Sequence, residues 1–374
     1  MFFRKEAARE SKWTVIIQDI DWPIKGFRKA RRFRDLLVPG LYWRHGDNIW
    51  VHWKSKIPAH LVLTKSGRRR ALSVKSIIRL IIRGVPPYLF FSRGRSDAGY
   101  SIIIKKASQN KNFSGCLLVD PAGGRVLHTS DGKGFTGKQI ELRRRWAKYV
   151  ASPYFEASGD GAFMKEQLID GRRITDLDKR DQFLVMKQVF YYHRELMAES
   201  MGDSEEAIER IMPNGNVELI PESIRRHFTD KEWIRRVRDL PLSISIADPH
   251  INNIIVDDKD CANVIDVFPM RWNPCYRDAM AFLWYRPSGS IGNLEYLIES
   301  YFDGKYDDEI DEMIKKAGQN WTVTSETRKA LMAMSIALVA ADYFPRKESL
   351  DGRYTRLFLS MLSRSDVLKR ELCE

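Results

Sequence analysis

The chain has 374 residues, 44% hydrophobic and 30% charged, with a formal net charge of +13. This length gives room for two or three domains and a substantial core, as in a soluble enzyme of moderate size. Cys116, Cys261, Cys275 and Cys373 are widely spaced with no C-x-x-C pair, which argues against a zinc site or a disulfide framework and fits a reducing compartment. The start shows no apolar h-region and no run of about 18 apolar residues exists, so neither a signal peptide nor a membrane span is expected and the expected location is cytoplasmic.

Charge is unevenly placed. Residues 1–107 hold 24 Lys and Arg against 7 Asp and Glu, a net of +17, and the remainder is net −4. The shift suggests a boundary near residue 95, with 1–95 as a basic N-terminal extension or domain. Residues 13–17 and 49–53 read as strands, rich in aromatic and β-branched side chains. Residues 25–34 are strongly basic and read as helical. Residues 73–83 carry apolar side chains at 74, 77, 78, 81 and 82, the spacing of an amphipathic helix, stopped by Gly84 and Pro86-Pro87. Clustered arginines beside aromatics can bind anionic lipid headgroups or nucleic acid. The alternative is a solvated basic face with its apolar stripe packed inward. No nucleic-acid-binding motif is present, so an anionic membrane surface or glycolipid ranks ahead of nucleic acid, with attachment at the inner face of the membrane as the matching location.

Further along, 101–105, 116–120 and 125–128 read as strands, joined by a polar turn at 108–115 and a tight turn at 121–124. Thr136 and Gln139 fit a capping box that opens a helix. Glu141 lies in its first turns, where a surface carboxylate is favoured by the helix dipole, and Arg143, Arg144 and Arg145 follow. Residues 153–157 and 162–168 read as two strands across Gly159-Asp160-Gly161. Residues 182–199 read as a helix with Phe183, Val185, Met186, Val189, Phe190 and His193 spaced for burial, so His193 is expected in the core. Residues 293–302 and 327–344 are periodic, and the second is apolar enough to be a buried core helix.

The most informative stretch is 246–256, Ile-Ala-Asp-Pro-His-Ile-Asn-Asn-Ile-Ile-Val, followed by Val264-Ile265-Asp266. Asp248 follows an apolar run, Asn253 lies five residues on, and Asp266 closes another apolar run. Residues 254–256 and 263–265 read as two short strands turning at 257–260, which would return Asp266 to the Asp248/Asn253 end. Asp, Asn and Pro also make ordinary turns. The layout suits phosphoryl transfer from a magnesium nucleotide, because one carboxylate can take the acceptor proton while an Asn and a second Asp offer oxygen ligands to a hard cation.

Here the chain resembles the aminoglycoside phosphotransferase and choline kinase branch of the protein-kinase-like superfamily. The family writes H-G-D-x-H-x-x-N, an apolar pair followed by Asp, and G-D-P-x-x-D-L-A. This chain has I-A-D-P-H-I-N-N, V-I-D, and residues 273–281 as N-P-C-Y-R-D-A-M-A. Ile246 and Ala247 stand where the motif has His and Gly. The resemblance covers about 95–345 and implies an α+β, two-lobed fold, with a small nucleotide lobe over 96–168 and a large helical lobe over 169–374. It implies ATP and Mg2+ as cofactors and a hydroxyl of a small molecule, sugar or glycan as acceptor. Asp248 would be the catalytic base, Asn253 and Asp266 the metal ligands, and His250 and Asp278 structural supports of the loop. The polar turn at 108–115 would cover the phosphates, and backbone near Glu166 and Leu168 would meet the adenine. Glu141 would pair with the cation of the third strand. That strand ends Val126-Leu127-His128, where the family has Lys. Either His128 substitutes imperfectly, or Lys105, Lys111 or Lys133 reaches in, or the protein is a weak or inactive pseudokinase acting as a binding module.

Overall fold

The structure is a computed structural model, and it describes residues 36–44, 49–55, 89–92, 99–105, 116–129, 137–157, 163–201, 220–228, 235–237, 239–246, 248–267, 270–285, 294–343, 359–360 and 362–373. The segments read at 13–17, 25–34, 73–83 and 108–115, and the cap at Thr136, lie outside these residues. The chain divides into two compact units, Met1–Ile140 with Pro153–Asp170, and Glu141–Ser152 with Gly171–Glu374. The first is rich in strands and the second in helices, the α+β organisation expected from the sequence.

Among its described residues, the first unit has eight antiparallel strands: β1 (Gly40–Arg44), β2 (Ile49–His52), β3 (Leu89–Ser92), β4 (Ile102–Lys105), β5 (Cys116–Asp120), β6 (Arg125–Thr129), β7 (Phe155–Ala157) and β8 (Phe163–Gln167). Their order is β3-β1-β2-β4-β5-β6-β8-β7. The strands of residues 40–92 therefore belong to the same sheet as those of 102–167, joined where β2 pairs with β4, Val51 opposite Ile102. Successive side chains of a strand point to opposite faces. One face carries Val51, Ile102, Ile104 and Val119, with Leu117, Val126 and Leu168 packed against them. The other carries Trp50, Ile103, Leu118 and Leu127, also buried. Val/Ile-rich strands buried on both faces read as continuous apolar runs, as 102–104 does. The β5–β6 turn is fixed by Asp120, whose carboxylate accepts from the Gly123 N–H and from Arg125 Nε, both at 2.8 Å.

Helix α1 (Gly137–Trp146) runs across the division of the chain. In the second unit, the long helix α2 (Lys179–Ser200) starts at Asp178, whose side chain accepts from the Asp181 N–H, a standard N-cap. It buries Val185, Met186, Val189, Phe190, His193, Leu196 and Met197 along one face, the 3.6-residue stripe. Strand β9 (Arg172–Arg173) pairs with β11 (Ile254–Val256), which forms a hairpin with β12 (Ala262–Val264). Gly171 lets these backbones approach: a Cβ there would sit 2.3 Å from the Val256 carbonyl oxygen. Strand β10 (Leu242–Ile246) pairs antiparallel with β13 (Met270–Pro274).

After β13 come helices α3 (Arg277–Trp284), α4 (Glu295–Phe302), α5 (Asp307–Lys316), α6 (Ser325–Tyr343) and α7 (Asp366–Cys373). Every residue of α3 is buried, as is α6 from Ala330 to Ala340. Full burial of one Leu, Ile or Met side chain contributes about 1.5–3 kcal/mol, so these two helices anchor the unit, and α3 follows directly on β13. No described helix is long and apolar enough to cross a membrane.

Candidate active site

Five of the residues singled out in the sequence meet around the end of β10. Asp248 follows that strand with its side chain 43% exposed. Its backbone carbonyl takes two hydrogen bonds, from the His250 N–H and from Asn253 Nδ2, each at 2.9 Å. The buried Asn253 also receives structure from both sides: its N–H donates to the His250 carbonyl and its carbonyl accepts from the Ile265 N–H at 2.8 Å. Asp266 is the residue that follows this partner of Asn253 in the chain. His250 Nε2 lies 3.4 Å from Asp248 Oδ2, and its ring stands edge-on to Tyr285 with centroids 5.8 Å apart.

Asp266 has φ of +57°. Among the described non-glycine residues, Ala151 and Asp260 share a positive φ, and both lie in turns. Asp266 instead follows a strand; the left-handed conformation costs most L-residues on the order of 1–2 kcal/mol and Asp less, because its short polar side chain can bond locally. Strain of this kind persists where surrounding contacts over-determine it, and the Ile265–Asn253 bond is such a contact.

Asp278, in the first turn of α3, is buried and holds the strand end. Its Oδ2 accepts from the Ile246 N–H at 2.7 Å, and its Oδ1 accepts from Arg277 Nη1 at 2.6 Å. His193 Nε2 stands 3.9 Å away. His193 donates from Nδ1 to the Val189 carbonyl, and burial pushes its pKa below the usual imidazole value despite the nearby Asp278. It is a core histidine. Burial also pushes the Cys275 thiol up to about 12, so it is no nucleophile near neutral pH.

In the strand-rich unit, His128 and Glu166 are both buried and bonded to each other through Nε2 and Oε2. They lie on the face that carries Ile102, Val119 and Val126, diagonally across β6 and β8, since Val126 faces Glu166 and His128 faces Met164. The carboxylate on His128 is thus one from its own sheet. Glu141 is exposed on α1. The amides near the expected adenine edge are already used: Leu168 N–H donates to the Gly124 carbonyl at 2.8 Å and Gln167 N–H to the Tyr154 carbonyl at 2.9 Å. Of the alternative cations, Lys111 and Lys133 lie outside the described residues.

Asn253 and Asp266 suit a hard cation. Asn253 Nδ2 is spent on the Asp248 carbonyl, which leaves Oδ1 as the ligand end of the amide, and Asp266 adds a carboxylate. Among the described residues, no group of three or more His, Cys, Asp or Glu side chains could hold a metal. A cation with these two ligands would draw the rest from water and phosphates, the usual manner of magnesium.

No family model matches the chain, and no curated protein matches it in sequence. Solved structures do resemble it. A thermostable mutant of aminoglycoside phosphotransferase APH(4)-Ia, in ternary complex with AMP-PNP and hygromycin B, is 15% identical over 72% of this chain and 93% of its own, with a TM-score of 0.43. Aminoglycoside phosphotransferase APH(3'')-Id from Streptomyces rimosus is 13% identical over 71% and 98%, with a TM-score of 0.35. A choline/ethanolamine kinase family protein from Mesorhizobium loti is 13% identical over 72% and 91%, with a TM-score of 0.32. At this distance, the chemistry has to be read from the chain's own side chains.

Proposed function

We propose that the chain is an ATP-dependent phosphotransferase that uses Mg2+ and delivers a phosphoryl group to a hydroxyl of a small molecule, sugar or cell-envelope glycan. The observation that carries this reading is the joint anchoring of Asp248, Asn253 and Ile265, the residue before Asp266, by one short set of backbone and amide hydrogen bonds. Asp248 is exposed enough to meet an acceptor, and as a carboxylate it orients the hydroxyl and takes its proton. His250 restrains that carboxylate from one side. Asn253 and Asp266 would hold magnesium, which when bound neutralises phosphate charge. Positioning and charge neutralisation carry most of the catalysis in such reactions.

Thermal-shift titration with ATP, with and without Mg2+, tests the reading first. A transfer assay then follows, with hygromycin B, choline, ethanolamine and simple sugars as acceptors. Magnesium-dependent stabilisation with turnover on at least one acceptor is expected. Absence of both would end the proposal.

The His128–Glu166 bond favours a second reading, a weak or inactive pseudokinase that serves as a binding module. An imidazolium–carboxylate pair is net neutral and an imidazole–carboxylate pair is net negative, so neither state offers a phosphate the positive charge of a free cation. Stabilisation by nucleotide without any turnover would select that reading. The basic first third adds a proposed anionic partner surface, with the protein cytoplasmic and peripheral to the inner face of the membrane, and nucleic acid as the lesser option.

A further inference from the structure

Among the described residues, strand β10 has β13 on one side only, so the backbone groups on its other edge need partners. Side chains supply them. Ser200 Oγ accepts from the Ile244 N–H at 3.1 Å, Asp278 Oδ2 accepts from the Ile246 N–H at 2.7 Å, and Arg277 Nη1 donates to the Ile246 carbonyl at 3.0 Å. Both backbone groups of Ile246 are therefore clamped by two consecutive residues of α3, two positions before Asp248.

Arg277 stands where its own helix disfavours a cation. It occupies the first turn of α3, where a cation opposes the helix dipole. It is also fully buried, and a buried ion pair rarely outperforms apolar side chains of the same volume. Its own backbone is fixed in turn: Ser335 Oγ on the buried helix α6 donates to the Arg277 carbonyl at 2.9 Å and accepts from Trp284 Nε1 at 3.2 Å. Helix α6 thus fixes Arg277, and Arg277 fixes the end of β10.

We propose that Arg277 is a positioning residue, which fixes the end of β10 two positions before Asp248, and that the Arg277–Asp278 pair serves this geometry ahead of stability. The consequence for turnover rests on the phosphotransferase reading, whereas the consequence for local order does not.

The test uses the full chain carrying Arg277→Met together with Asp278→Asn, which removes both buried charges at nearly constant volume. The double variant is expected to keep a cooperative thermal transition. Amide hydrogen exchange in a peptide spanning 244–250 is expected to quicken by about tenfold or more, with the rest of the helical unit unchanged. Turnover is expected to fall by about 10²-fold, the scale of a misplaced reacting group, with KM for ATP held within about twofold. Unchanged exchange at 244–250 would overturn the proposal, as would unchanged turnover. Should the wild type show no turnover, the phosphotransferase reading fails and the exchange measurement alone decides the role of Arg277. Where the double variant does not fold, Arg277→Gln replaces it, and unchanged exchange in that variant overturns the proposal equally.

Discussion

Asp266 allows charge and backbone strain to be separated by substitution. Its φ of +57° is tolerated by Asp and Asn several-fold better than by other non-glycine residues. Asp266→Asn should therefore leave the unliganded protein within about 0.5 kcal/mol of wild type. Asp266→Ala should lose about 1 kcal/mol, and Asp266→Gly should match or exceed wild type, because glycine carries no Cβ penalty there. Nucleotide changes the comparison. A ligand at about 100 times its Kd stabilises the folded state by about 2.7 kcal/mol. For a unit of roughly 200 residues, each kcal/mol raises Tm by about 2–4 °C, so the wild type should gain about 5–11 °C with ATP and Mg2+. Asp266→Asn and Asp266→Gly should both lose most of that gain, although they differ in backbone freedom. Differential scanning fluorimetry with ATP, in Mg2+ and in EDTA, reads all four proteins together. A full magnesium-dependent shift in Asp266→Asn would refute the metal-ligand assignment. Equal unliganded stability of the Ala and Gly variants would refute the claim of strain at this residue.

Asp248→Ala should leave nucleotide binding and Tm nearly unchanged, because the side chain is 43% exposed, while turnover drops by about 10² or more; a normal rate would remove Asp248 from the mechanism. His193 is buried neutral with a lowered pKa, so the unfolded chain binds its proton first. Stability should then fall as pH drops below 6.5, by up to about 1.4 kcal/mol per pH unit for that one proton. His193→Gln should flatten the loss between pH 6.5 and 5, and an unaltered slope would exclude His193 as its source. The full chain should bind anionic vesicles better than neutral ones, with binding that weakens as salt rises. Charge reversal at Arg28, Arg31, Arg32 and Arg34 should reduce it, whereas equal binding by the reversed variant, or tighter binding to RNA, would reject the lipid reading.

Elements with a strong local pattern were legible in the chain. The strand at 116–120 stands where its apolar run puts it, and the hairpin turns at the Asp-rich segment 257–260 with its second strand one residue earlier than expected, at Ala262–Val264. Helix α2 begins three residues before the first residue read as helical. Its opening Lys179-Arg180-Asp181 has no apolar periodicity, and the signal there is the Asp178 cap. Strand β13 was missed because Met-Arg-Trp-Asn-Pro lacks a clean alternation and ends in proline; it is a strand because β10 pairs with it. Helix α5 was overlooked although its signals are local. Asp307, Asp308 and Glu309 open it, Lys315 and Lys316 close it, and Ile310, Met313 and Ile314 give it a buried stripe.

The site divides along a similar line. Asp248, Asn253 and Asp266 could be named from one short stretch because their spacing is itself the chemistry, and the hairpin register follows from the turn between its strands. The partners that tune them were beyond that reach. His128 and Glu166 are 38 residues apart and meet only through a diagonal register across β6 and β8, which a single sequence leaves open because a one-residue slip would send every side chain to the other face. Arg277 carries no warning of its role either. In sequence it is one more arginine at a helix start, where the dipole predicts a mild penalty at an exposed surface. Burial turns that penalty into a requirement for partners, and the partners it finds are the carboxylate of Asp278 and the carbonyl of Ile246. A buried charge that a core would do better without, bonded to the backbone two residues from the candidate base, is best explained by what it holds in place.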